Sequence, residues 1–88
     1  QMIDFRKTGE YYEKAIAMEP NRYEFHQNYS VLLLNDLRDY VKAKEELEIL
    51  LELKPNDPMA KKNYDLLMKK KFDKNGNPIK KRGFGLFR

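Results

Sequence analysis

The chain has no cysteine and no tryptophan, a single histidine, and only four glycines and four prolines in 88 residues. Without cysteine there is no disulfide framework, no thiolate metal site and no thiol nucleophile. The same absence fits a cytoplasmic setting and is compatible with a nuclear one. No apolar run approaches the roughly 18 residues a membrane span needs. The opening Gln1-Met2-Ile3-Asp4-Phe5-Arg6 lacks the basic-then-apolar pattern of a secretory signal and shows no obvious helix cap. A piece cut from a longer chain is therefore expected. What is present suits one soluble helical domain: 36% charged residues, 41% hydrophobic ones, six Tyr and five Phe. A disordered chain would hold fewer aromatics, and a chain this short sits near the lower end of what one core can stabilise.

Negative charge is scarce at one end. Residues 1–68 carry ten Lys/Arg and thirteen Asp/Glu, a balance of −3. Residues 69–88 carry eight Lys/Arg against Asp73 alone, a balance of +7, which restores the overall +4. The basic character thus belongs to a tail and not to the body.

A repeat is visible at an offset of 35 residues: Pro20-Asn21 returns as Pro55-Asn56, and Asn28-Tyr29 as Asn63-Tyr64. Glu13 matches Glu48, Ile16 matches Leu51, and Val31-Leu32-Leu33 matches Leu66-Leu67-Met68. Each proline biases its predecessor away from helix and so marks a boundary. Between boundaries the apolar residues follow a helical period. Helices are expected over about 3–18, 22–35, 39–53 and 57–71, with Asn35-Asp36 as a turn. Their apolar faces would hold Ile3, Phe5, Tyr12, Ala15 and Ile16, then Phe25, Tyr29, Leu32 and Leu33, then Tyr40, Ala43, Leu47, Leu50 and Leu51, then Tyr64, Leu67 and Met68. Asp39 reads as an N-cap, and Asp57-Pro58 as a cap followed by a first-turn proline. Short turns make neighbouring helices antiparallel. The expected organisation is an all-α helical domain over 1–71 and a basic, aromatic tail over 72–88.

These residues resemble the tetratricopeptide repeat family, whose unit of about 34 residues runs W-x2-L-G-x2-Y, then A-x3-F, then P. His26 stands at the Trp place, Tyr29 at the Leu, Ser30 at the small residue and Leu33 at the Tyr. Ala43 and Leu47 stand at the A-x3-F pair, and Pro55 closes the unit. Thr8, Tyr12 and Pro20 are similar to the second half of a preceding unit, and Lys61, Tyr64, Asp65 and Met68 to the first half of a following one. The spacing of 35 implies an extra residue, expected in the turn at Asn35–Arg38. Asp65 at a small-residue place implies that nothing packs there, as at the polar end of a helical array.

The resemblance implies stacked antiparallel hairpins forming a short superhelix, a protein-binding scaffold without catalysis or cofactor. Its concave face would present Gln27, Asn28, Val31 and Leu34 from one helix and Met59, Lys62, Asn63, Leu66 and Lys69 from another. A protein or peptide segment is the expected partner. Family members that clamp the acidic C-terminus of chaperones use a set of Lys, Asn and Arg. Asn28 matches the central Asn, but Met59 and Asn63 stand where Lys and Arg are used, so no chaperone clamp is expected. A missing upstream helix, self-association or a partner is expected to cover apolar surface near Met2, Ile3 and Phe5.

The tail reads in three ways. Ile79, Phe84, Leu86 and Phe87 could pack back on the last helix. The tail could hold a protein partner. Or Lys80, Lys81 and Arg82 with Phe84 and Phe87 could contact nucleic acid, combining basic groups with stacking platforms, or serve a membrane surface or nuclear import. Asp73-x-Asn75-x-Asn77 has the start of a calcium loop but lacks the glycine and the closing glutamate, so no metal is expected. His26 is expected to be a satisfied packing residue and no general base. The run Glu45, Glu46, Glu48 and Glu52 is expected to be a solvated face paired with Lys42 and Lys44.

Overall fold

A computed structural model describes residues 3–79. They form four helices: α1 (Phe5–Met18), α2 (Tyr23–Leu32), α3 (Tyr40–Leu53) and α4 (Pro58–Lys71). No strand occurs among the described residues.

Aspartates start three of the helices. The Asp39 carboxylate accepts from the Lys42 amide, and Asp57 accepts from the Met59 amide ahead of Pro58 in the first turn. The opening segment does have a cap, contrary to expectation. Asp4 accepts from the amides of Arg6 and Lys7, so α1 starts at Phe5 and leaves Ile3 outside. Each such cap satisfies amides that have no partner within the helix and contributes about 1 kcal/mol. The prolines act at the other end. Glu19 and Lys54, one repeat apart and each before a proline, leave helical geometry with nearly the same angles (φ −137°, ψ 76° and φ −138°, ψ 87°).

Asn35-Asp36 is not the turn. The chain from α2 continues through a π-helical turn over Leu33–Leu37 and reverses only at Arg38, in the left-handed region at φ 53°. A π turn spaces its hydrogen bonds one residue wider than an α turn. The extra residue of the 35-residue spacing is thus absorbed inside the helix, ahead of the reversal. The widened turn brings Leu37 to α1, where a Cβ on Gly9 would stand 3.2 Å from the Leu37 methyl.

Neighbouring helices run antiparallel. In the last pair, Lys71 lies over the Tyr40 ring at one end and Tyr64 meets Glu48 midway. The core is formed by Tyr29, Leu32, Leu33, Ala43, Leu47, Leu50, Ala60, Leu67 and Phe72. Burying each large aliphatic side chain among them contributes about 1.5–3 kcal/mol. Only Gly9 of α1 is fully buried, with Tyr12, Ala15 and Ile16 half-buried. Ile3 and Phe5 stay exposed, as expected, while Met2 lies outside the described residues.

After α4 the chain turns back on itself. Phe72 is buried in the core and bridges Pro78 in antiparallel fashion, and the Ile79 amide donates to the Lys71 carbonyl. The Asp73-x-Asn75-x-Asn77 pattern is explained by this reversal. Asp73 accepts from the amides of Asn75 and Asn77, and Gly76 takes φ 83°. The side chain stabilises a turn from within, as aspartate does. Pro78 and Ile79 come to lie beside Leu37, Tyr40 and Val41. The other expected tail contacts, Lys80, Lys81, Arg82, Phe84, Leu86 and Phe87, lie outside the described residues.

Candidate functional site

Antiparallel packing sets α2 and α4 on the same side of α3, with a groove between them. Leu47 and Leu50 of α3 floor it, with Ser30 and Ala60 at the flanks. Its walls are Gln27, Asn28 and Val31 from α2, and Met59 and Asn63 from α4. Small side chains at Ser30 and Ala60 keep it open, and the Ser30 hydroxyl donates to the Gln27 carbonyl so that no polar group is left wanting on the floor. Val31 and Met59 are 45% and 60% exposed. Apolar side chains held that far in water on facing walls are available for contact.

The groove continues toward the C-terminal end of α4. There Leu34 of the π turn and Leu66 of α4 share a second depression with Asn63, which lines both parts. Seven of the nine residues expected on the concave face are thus brought together. Lys62 and Lys69 are not. They lie with Pro58, Lys61, Asp65 and Leu66 on the outer side of α4. The reason is helical phase: seven residues apart, they share a face opposite to buried Ala60 and Leu67.

Two further residues line the groove that the expected concave face left out. Tyr23 lines the end of the groove, and its buried hydroxyl makes no hydrogen bond among the described residues. The Lys54 ammonium sits 4.2 Å from its ring centroid, a cation–π contact. Asp57 reaches the same end, although its capping role alone was expected. Tyr23, four residues before Gln27, shares its helical stripe and could have been found by that period, whereas Asp57, a cap outside the helix, leaves no periodic trace.

The repeated Tyr and Glu residues hold the walls in place. The Tyr29 hydroxyl donates to Glu13 of α1, and one repeat later the Tyr64 hydroxyl donates to Glu48 of α3 at 3.1 Å. Each carboxylate also takes a lysine ammonium, Lys42 on Glu13 at 2.9 Å and Lys44 on Glu48 at 3.0 Å. Burial first, and the adjoining carboxylate second, hold both phenols above their ordinary pKa. The Tyr29 hydroxyl, and then Lys42, hold Glu13 below its own. Lys42 thus bridges to α1 where a pair along its own helix was expected, and Lys44 makes the expected i,i+4 pair with Glu48.

His26 is fully buried. Its Nδ1 lies 2.6 Å from a Glu46 carboxylate oxygen and its Nε2 2.6 Å from the Pro20 carbonyl. The ring is thus held at both nitrogens. This is a satisfied packing histidine tying α2 to α3 and to the α1–α2 turn. It also takes Glu46 out of the solvated acidic face. The Glu46 side chain is only 14% exposed because it turns inward to the ring. Among the described residues no group of His, Asp and Glu is placed to hold a metal ion, and no helix is long and apolar enough to cross a membrane. No family model matches the chain, and neither a curated protein nor a solved structure matches it.

Proposed function

We propose that this chain is a tetratricopeptide-type interaction module that holds a segment of a partner protein in the groove between α2 and α4. The observation that carries the reading is the groove itself: an apolar floor, exposed Val31 and Met59 on facing walls, and the side-chain amides of Gln27, Asn28 and Asn63 along the rim. Apolar side chains of a partner would occupy the floor, and amides can both donate to and accept from its backbone. Asn28 and Asn63 stand one repeat apart on opposite walls, so a segment lying along the groove meets both. The reading includes membership in a larger array or assembly and a cytoplasmic or nuclear setting.

Selection of peptides from a displayed library on the full chain tests this. Selected peptides should lose about tenfold or more in affinity, about 1.4 kcal/mol, when Val31 becomes Ser and Asn63 becomes Ala together. Affinity unchanged by that pair would remove the groove from the reading. A second reading rests on the charge balance of +7 over residues 69–88: contact with RNA or DNA through the basic end. A steep fall of nucleic-acid affinity with salt, abolished by neutralising Lys80, Lys81 and Arg82, would favour it.

A further inference from the structure

The outer face of α4 and the outer face of α3 carry the same pattern with opposite charge. On α4 the stripe is Pro58, Lys62, Leu66 and Lys69. On α3 it is Val41, Glu45, Ile49 and Glu52. Both run apolar, charged, apolar, charged at i, i+4, i+8 and i+11, a spacing that keeps all members on one side of a helix. Both point away from the core, which α3 meets through Ala43, Leu47 and Leu50, and α4 through Ala60 and Leu67. Lys62, Lys69, Glu45 and Glu52 are exposed, and none forms an ion pair among the described residues. The charges flanking the α3 stripe are already engaged, Lys42 by Glu13 and Glu48 by Lys44. Leu66 remains 44% exposed and Val41 46%.

We infer that the outer face of α4 docks the outer face of α3 of a second copy of this chain. The two lysines and the two glutamates are each seven residues apart, about 10 Å along a helix. Laid side by side, the helices can match both charge pairs at once and bring Ile49 beside Leu66. The charge match selects the partner, since α4 against α4 or α3 against α3 would oppose like charges. The lysine stems lie along the apolar strip and add carbon contact. Because the two faces differ, the contact is heterologous, and each copy is left with one face free. Assembly through it runs head to tail, beyond a dimer. Leu66, which also edges the C-terminal end of the groove, is the one residue the two surfaces share.

Sedimentation velocity of the full chain tests this. The sedimenting mass should rise with protein concentration and fall as salt is raised. The double variant Lys62→Gln/Lys69→Gln should stay monomeric, and so should Glu45→Gln/Glu52→Gln, each with the wild-type thermal melt by circular dichroism. Mixed together, the two variants should form a 1:1 dimer and nothing larger, since one retains an intact α3 face and the other an intact α4 face. A full-length Phe84→Ser/Phe87→Ser variant should assemble as the wild type does. The inference is overturned by a wild type that stays monomeric at every concentration and salt. Assembly that survives either glutamine pair, a mixture that stays monomeric, or assembly abolished by the Phe84/Phe87 changes would overturn it as well.

Discussion

At the first joint of the molecule Tyr29 of α2 donates to Glu13 of α1, and at the second Tyr64 of α4 donates to Glu48 of α3. Both bonds face backward, onto the helix before. The forward-facing places diverge. His26 and Ser30 are buried where α2 meets α3, and Leu33 is buried at the end of the same face. Their repeat partners are Lys61, Asp65 and Met68: the first two are exposed and Met68 is half-buried. The difference shows which part of a repeat is constrained by what. A position that touches the preceding helix keeps its chemistry in both units, because that helix is present in both. A position that would touch a following helix keeps it only where such a helix packs, and none does against α4 among the described residues.

The largest break in the comparison should come at its most buried pair. Leu33→Ala removes a side chain that is 1% exposed, at a cost of about 2–5 kcal/mol including the cavity. Met68→Ala, one repeat later, should cost less than half of that, since Met68 is partly in water already. Chemical denaturation of both variants measures the contrast. Equal losses would mean that the end of α4 is packed as tightly as the middle of the molecule.

Next comes His26 against Lys61. His26→Ala strands the Glu46 carboxylate and the Pro20 carbonyl, both within hydrogen-bonding distance of the ring. Both contacts are part-buried, and the loss should be about 1–3 kcal/mol in all. Lys61→Ala touches an exposed place and should stay within about 0.5 kcal/mol of wild type. A silent His26→Ala would show that water replaces the ring.

These contrasts bear on what the sequence could disclose. The helices were legible because Asp39, Asp57 and the two prolines mark their ends and the apolar periods fill them. The groove was legible in outline, since Asn28 and Val31, and Asn63 and Leu66, share faces with known phase. Lys62 and Lys69 were misplaced because a difference of one position on a helix is a rotation of about 100°, and the repeat comparison alone does not resolve which flank of α4 meets α2. The π turn showed only as the extra residue of the 35-residue spacing, expected at Asn35–Arg38; its form inside the helix was not legible, because Leu33–Leu37 read equally well as the end of an α-helix and a turn. The partners of Glu13 and Glu46 were equally hidden. A carboxylate on a helix looks solvated until a tyrosine or histidine from another helix is placed against it.

A smaller effect separates the two tyrosines. Tyr29→Phe removes a bond from a buried phenol to a carboxylate, and should cost about 1–2 kcal/mol. Tyr64→Phe should cost less, its ring being half-exposed. The pH dependence follows from the direction of the shifts. Both phenols lie above their ordinary value in the folded chain, so the fold favours the protonated form. That stability is fully present below about 10, the value of an unfolded phenol, and is lost as pH rises through the folded value. Stability measured on the alkaline side should fall for wild type and fall less steeply for Tyr29→Phe. Glu13 works in the opposite sense, its contribution being lost as pH falls through its depressed folded value, but the side chain is half in solvent and the effect is small.

The smallest expected effect concerns Gly9, whose place one repeat later is taken by Lys44. Glycine inside a helix costs about 0.5–1 kcal/mol relative to alanine. Here a methyl group would meet the Leu37 methyl at 3.2 Å, and the rings and methyls of Tyr29 and Leu32 at 3.6 and 3.8 Å. Only the first contact is tight, and it is with the tip of a half-buried side chain that can give by a few tenths of an ångström. Gly9→Ala should therefore leave stability unchanged or raise it slightly. Gly9→Leu should destabilise, since a side chain of that size must enter space already held by Leu37, Tyr29 and Leu32. Melting temperatures of the two variants decide the matter. If Gly9→Ala lowers the melting temperature by several degrees, Leu37 is fixed in place by the π turn, and α1 is held against the molecule by a contact as rigid as any in the core.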